Sequence, residues 1–210
     1  MELRVVRDLA EAGAAAFLAA APRTVALAGG STPEPAYERL GGLEYPWEEV
    51  DFFFGDERCV PPNDADSNFG MANAALLSHV ATRAHPMFGC DPDEYERELE
   101  SVFGPAIPRF DLVFLGLGED GHTASLFPGD SALEVTDRNV VLVERADHRR
   151  MTLTLPVLSA ARRVVFLVSG ASKQWALVEL LARGDIPAAR VRAERTLVLA
   201  DPAAAGAVEP

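Results

Sequence analysis

Val25-Ala26-Leu27-Ala28-Gly29-Gly30-Ser31-Thr32-Pro33-Glu34-Pro35-Ala36-Tyr37-Glu38-Arg39-Leu40 sets out a whole strand–turn–helix unit in one short stretch. Residues 25–28 are continuously apolar with no polar alternate face, which marks a strand buried on both sides. Two glycines then break the strand. Thr32 is expected to cap a helix over 33–40, with Pro33 at its first position. The same order recurs along the chain. Buried strands are expected at 3–6, 50–54, 112–115, 140–143, 164–168 and 197–199, and helices at 8–21 (capped by Asp8), 68–79, 92–103 and 171–183. Alternation of this kind predicts an α/β fold: a mainly parallel sheet flanked by helices, in a single domain over residues 1–210. In such sheets ligands bind beyond the carboxyl ends of the strands. Attention therefore falls on the segments after Ala28, Phe54, Leu115 and Val168. The Pro202 tail, rich in Ala and Gly, is expected to fray.

A net charge of −13 argues against nucleic acid and anionic membranes as partners. It also makes any cluster of basic residues informative. No apolar run reaches membrane-span length. The Ala-rich stretch 10–21 reads as an amphipathic helix and not as a signal sequence, because Asp8 and Glu11 interrupt it. Cys59 and Cys90 lack CxxC spacing and are expected to stay unpaired, as suits a cytoplasmic protein. His79, His85, His122 and His148 show no metal-ligand spacing, so no metal site is expected. Nothing marks an oligomer interface, so the sequence leaves the choice between a monomer and an assembly open.

Four segments carry candidate chemistry. Gly29-Gly30-Ser31-Thr32 follows a strand and opens a helix, an arrangement suited to holding an anion on backbone N–H groups. Gly55-Asp56-Glu57-Arg58 places two carboxylates and a cation at the end of a very apolar strand, where they cost stability unless solvated or used. Gly116-Leu117-Gly118-Glu119-Asp120-Gly121-His122-Thr123-Ala124-Ser125-Leu126-Phe127-Pro128-Gly129 sets one His in a Gly-rich loop. An imidazole, with an ordinary pKa of about 6.5, suits taking a proton from water near neutrality. Its GxGxxG pattern is not a dinucleotide fingerprint, since it lies mid-chain with a Glu-Asp interior. Arg150, and Lys173 at a strand-to-helix junction, complete a set of cations able to hold a phosphate. No GxSxG elbow is present, which removes a Ser–His–acid hydrolase.

Taken together, Ala28–Pro33, Gly55–Arg58 with Ser67-Asn68, Gly118–Gly129, Arg150-Met151-Thr152-Leu153-Thr154 and Gly170-x-x-Lys173 resemble the 6-phosphogluconolactonase family, related to glucosamine-6-phosphate deaminases. The resemblance implies a three-layer, modified Rossmann-like fold and metal-independent, cofactor-free hydrolysis of a phosphosugar lactone in the oxidative pentose phosphate pathway. It makes His122 the general base and gives the 6-phosphate to Gly29, Gly30, Ser31, Thr32, Arg150 and Lys173, with Arg58 a further candidate ligand. The chain departs from the family at Gln174 and in Ala146-Asp147-His148-Arg149, which lacks a Pro-rich lead-in.

Asp56 or Asp120 is expected to orient His122 or the water. Oxyanion donors are expected from the 116–121 backbone or from Arg58. A deaminase is the nearest alternative, disfavoured because no acid follows His122 within Thr123–Pro128 and because Arg58 stands where an aromatic is usual. A non-catalytic sugar-phosphate sensor is the other alternative; it lacks a basic recognition helix here.

Overall fold

The computed structural model describes residues 1–206. In chain order its strands are β1 (Glu2–Val5), β2 (Thr24–Leu27), β3 (Asp51–Phe54), β4 (Asp56–Arg58), β5 (Arg83–Ala84), β6 (Leu112–Gly116), β7 (Val140–Val143), β8 (Arg150–Leu153), β9 (Arg163–Val168) and β10 (Arg195–Ala200). The helices are α1 (Leu9–Ala20), α2 (Glu34–Gly41), α3 (Asn68–Ala75), α4 (Pro92–Phe103), α5 (Leu155–Ala160), α6 (Gln174–Ala182), α7 (Pro187–Arg190) and α8 (Pro202–Ala205). Seven strands form a wholly parallel sheet in the order β1-β10-β9-β6-β2-β3-β5. From β2 the chain builds outward through β3 and β5, then returns to place β6 on the other side of β2. The order therefore reverses between β2 and β6, and the loops leaving these two strands part to open a crevice.

The aromatic run of β3 explains the layers. Successive side chains of a strand point to opposite faces. Phe52 accordingly meets Phe17 of α1 and Trp47, with ring centroids 6.3 and 6.2 Å away. Phe53 meets Phe103 of α4 and Phe110 at 5.5 and 5.3 Å. Both side chains are fully buried, so each face of β3 sets an aromatic ring into the core. Asp8 caps α1 by accepting from Glu11 N at 2.8 Å, and Asp91 caps α4 through Asp93 N and Glu94 N.

Several expectations need correction. Residues 3–6 do not form a buried strand: β1 is a sheet edge, and Val5 is 53% exposed. Residues 140–143 are extended but belong to a separate antiparallel sheet, β4-β8-β7. Helix 68–79 stops at Ala75, followed by a 3₁₀ turn at Leu77–His79. Thr32 is not the cap of α2, because Pro33 holds that position and no side chain caps the helix. The residues from Pro202 to Gly206 do not fray: Asp201 caps α8 through Ala204 N at 2.7 Å, and Ala204 and Ala205 are buried. The rest of that tail, 207–210, lies outside the described residues. Cys59 and Cys90 are joined as a disulfide, with Cα atoms 5.4 Å apart, within the span such bridges cover. A separation of 31 residues hides this pairing in the sequence, whereas the path through β4 and β5 brings the two side by side.

The short strand β5 is secured by charge. Asp51 accepts from Arg83 Nε and Nη2 at 2.6 and 2.7 Å, and His85 Nε2 lies 3.0 Å from the same carboxylate. His85 also contacts Glu98 of α4 at 2.5 Å and stacks on Phe53 at 4.2 Å. The Arg83 hydrogen bonds hold the Asp51 carboxyl below its usual range, against the opposing effect of burial. A depressed carboxyl stabilises the fold above the ordinary carboxylate range, and that contribution is lost as pH falls through the depressed value. Asp51→Asn is expected to cost about 1–2 kcal/mol at pH 7. In urea unfolding across pH, its stability should converge on that of the wild type toward pH 3 and below.

Candidate active site

All four strand-end segments singled out in the sequence line one cleft of about 250 Å³, at the carboxyl edge of the sheet over the β2/β6 crevice. Its walls include Gly29, Gly30, Ser31 and Thr32 after β2; Asp56 and Arg58 on β4; His122 and Thr123 after β6; Arg150 on β8; and Ser169 and Lys173 after β9. The first wall is pinned by Tyr37 of α2, whose buried hydroxyl accepts from Ala28 N and donates to Ala28 O at 3.0 and 3.1 Å. Burial pushes that phenol well above its usual pKa.

The His122 loop is closed on itself. Gly118 N donates to His122 O at 2.8 Å, Gly121 N to Gly118 O at 3.1 Å, and Thr123 Oγ1 to Gly116 O at 2.8 Å. Asp120 Oδ1 lies 2.6 Å from His122 Nδ1 and accepts from His122 N at 3.1 Å. Partial burial works to raise the Asp120 carboxyl, yet the two hydrogen bonds and the charge of His122 prevail and hold it below its usual value. Phe127 packs on the His122 ring at 4.5 Å, and the Arg145 guanidinium sits 4.0 Å over the Phe127 ring. Gly118 leaves room for this ring: a Cβ there would fall 2.0 Å from His122 Nδ1 and 2.7 Å from Asp120 Oδ1.

Asp56 lies elsewhere in the site. It is 7% exposed and accepts from Ser125 Oγ at 2.6 Å and Asn68 Nδ2 at 3.3 Å. The charged run after β3 is thus neither a solvated loop nor a loop at all, because Asp56–Arg58 pairs antiparallel with β8. Glu57 is buried and accepts from Arg58 N, Asn68 N, Phe69 N and Ser67 Oγ; burial nonetheless pushes its carboxyl upward. Arg58 Nη1 donates to Asn68 Oδ1 at 2.6 Å and to Asp66 O at 3.0 Å.

Arg150 donates from Nη2 to Asp147 at 2.5 Å, while its buried Nε has no partner among the described residues. A backbone hydrogen bond from His148, and then Arg150 itself, lower the exposed Asp147 carboxyl to about 2. Lys173 closes the far wall, with Nζ 4.0 Å from Glu119 Oε1. Ser125, Phe127 and Asn68 stand in stretches that carry the family resemblance but were given no role of their own; their neighbours in space supply one.

The arrangement combines an imidazole, an acid on one of its nitrogens and three cations around a small cleft. Residues 1–199 match the family model described as glucosamine-6-phosphate isomerases/6-phosphogluconolactonase. The chain belongs to this family. A 6-phosphogluconolactonase of Synechocystis sp. is 44% identical over 191 residues, covering 85% of this chain and 76% of that protein. The crystal structure of a 6-phosphogluconolactonase from Thermotoga maritima superposes with a TM-score of 0.86 at 32% identity, covering 95% of this chain and 99% of that one. A monomeric glucosamine-6-phosphate deaminase reaches a TM-score of 0.82 at 22% identity, covering 99% of this chain and 100% of that one, a likeness of fold alone.

The steric role of Gly118 is open to test. Gly118→Ala is expected to part His122 from Asp120 with little loss of thermal stability. The ¹⁵N shifts of the His122 ring should move toward those of an unconstrained imidazole; unchanged shifts would refute the close approach.

Proposed function

We propose that the chain hydrolyses 6-phosphoglucono-1,5-lactone to 6-phosphogluconate, with His122 as the general base. The observation that carries this is His122, held by Asp120 on Nδ1, standing in one cleft with Arg58, Arg150 and Lys173. The relatives that bear the name 6-phosphogluconolactonase support the reaction class.

Arg150, Lys173 and the backbone of Gly29, Gly30, Ser31 and Thr32 take the 6-phosphate. The unpartnered Arg150 Nε gains an acceptor when that anion arrives. With Nδ1–H given to Asp120, neutral His122 keeps Nε2 as its basic nitrogen. Nε2 removes a proton from water as the water oxygen attacks C1. Two of the N–H groups in the 116–121 loop, those of Gly118 and Gly121, are already spent within the loop, which favours Arg58 as the oxyanion donor. The C1–ring oxygen bond then breaks, and the imidazolium returns its proton to the leaving oxygen. Asp120, not Asp56, orients the base. Asp56 braces the wall through Ser125 and Asn68.

General base catalysis of about 10²–10⁴-fold and an oxyanion donor worth roughly 3–4 kcal/mol suit an activated ester, so no step requires a metal or cofactor. No helix among the described residues is long and apolar enough to cross a membrane. The proposed setting is the cytoplasm, and it now rests on the soluble phosphosugar substrate, since the cysteines that suggested it are paired.

The test generates the lactone in situ from glucose 6-phosphate and follows 6-phosphogluconate through its NADP-linked dehydrogenase, with EDTA present. Acceleration well above spontaneous opening is expected, with no loss to EDTA. Ammonia release from glucosamine 6-phosphate without lactone turnover would overturn the proposal. Arg150→Ala and Lys173→Ala are expected to raise KM about tenfold or more with kcat nearly kept, because a remote phosphate contact contributes mostly uniform binding.

A further inference from the structure

We propose that Asn68 is a positioning residue that holds Arg58 in the cleft, and that position 29 is glycine in order to admit the Asn68 amide. The inference rests on the lactonase reading and assigns to Asn68, at the wall of the cleft, a task that it performs through Arg58.

Arg58 has a choice of partners. Besides the catalytic cleft it borders a neighbouring groove lined by Glu34, Asp64 and Asp66. A free guanidinium beside three carboxylates is drawn to them, and its long, flexible side chain leaves it free to turn. Asn68 Oδ1, 2.6 Å from Nη1, gives Arg58 a fixed neutral acceptor instead. Arg58 Nη1 can only donate, so the amide oxygen must face it and the amide nitrogen must face away. The nitrogen meets Asp56 O at 2.7 Å, an acceptor, which agrees with that orientation.

Asn68 itself cannot move. It is 2% exposed, and its backbone N donates to Glu57 Oε1 at 2.7 Å. The same Glu57 carboxylate takes the N–H of Arg58 at 2.8 Å, so one buried acid ties the backbone of the held residue to that of its holder. Among the described residues, every side-chain hydrogen bond of Arg58 runs through Nη1, which leaves Nε and Nη2 for a substrate oxygen.

Gly29 supplies an independent observation. Its φ lies outside the left-handed region, so backbone conformation does not demand glycine there. Space does. A Cβ at position 29 would fall 1.7 Å from Asn68 Oδ1 and 2.1 Å from Asn68 Cγ, against a side chain with nowhere to retreat. The first glycine of the Gly-Gly-Ser-Thr loop therefore serves Arg58 through Asn68.

The test is a double-mutant cycle on lactone hydrolysis, using variants that melt within a few degrees of the wild type. Asn68→Ala is expected to lower kcat at least tenfold, part of the roughly 10²–10³ that one oxyanion donor supplies, with a smaller change in KM. In an Arg58→Ala background the same substitution should cost less than about twofold, because the group it positions is gone. Gly29→Ala should repeat this pattern, and it replaces Asn68→Ala in the cycle if that variant does not fold. Equal losses in both backgrounds would mean general structural damage and overturn the inference while leaving the function intact. Absence of lactone hydrolysis by the wild type would overturn the function and this inference with it.

Discussion

The pairing of β2 with β3 on one side and β6 on the other governs where the rest of the molecule can stand. Both ladders are parallel, so every strand delivers its carboxyl end to the same edge and every return must run over a face of the sheet. The chain leaves β2 toward β3 but comes back at β6, and the two loops diverge over the boundary between them. A cleft at that boundary costs no buried surface, because the geometry has already opened it. The Gly29–Thr32 and Gly116–His122 segments occupy its two lips.

The small antiparallel sheet adds what the parallel one cannot. β4 continues from β3 after a single glycine, and its pairing with β8 brings Arg58 opposite Arg150. Two cations in register would repel each other. Each is answered separately, Arg58 by the Asn68 amide and Arg150 by Asp147. Beneath them Asp56 and Glu57 are buried carboxylates held mostly from neighbouring segments: Ser125 of the His122 loop and Asn68 for one, the amino end of α3 together with Arg58 N for the other. Burial of such groups is tolerable only when they are fully hydrogen-bonded. Asp56 thereby joins the His122 loop, through Ser125, to Asn68 and so to Arg58, and removing one of these leaves a buried partner unsatisfied.

Most of the parallel architecture was legible because its signals are local. Continuous apolar runs gave the inner strands. Asp8 gave α1 its start as the expected cap. Most of the misses are matters of distant partners. β4 and β8 read as charged or mixed segments, since the donors that make their burial possible lie ten or more residues away. Residues 140–143 showed a strand but not its direction, which the partner decides. Thr32 lost its capping position to Pro33, a shift of one residue that composition does not resolve. The choice between Asp56 and Asp120 beside His122 was open in the sequence, and only coordinates separate a carboxylate 2.6 Å from Nδ1 from one committed to Ser125. Short elements such as α7 and α8 carry too few residues for periodicity to register.

The measurement that reaches the centre of the mechanism is the turnover of His122→Ala at saturating lactone, with 6-phosphogluconate affinity determined on the same sample. A fall in kcat of about 10²–10⁴-fold with product affinity retained is the expected result, since in the proposed mechanism the imidazole moves the proton while the cations hold the phosphate. Turnover close to wild type would contradict His122 as the base and return the water-activating role to another group in the cleft.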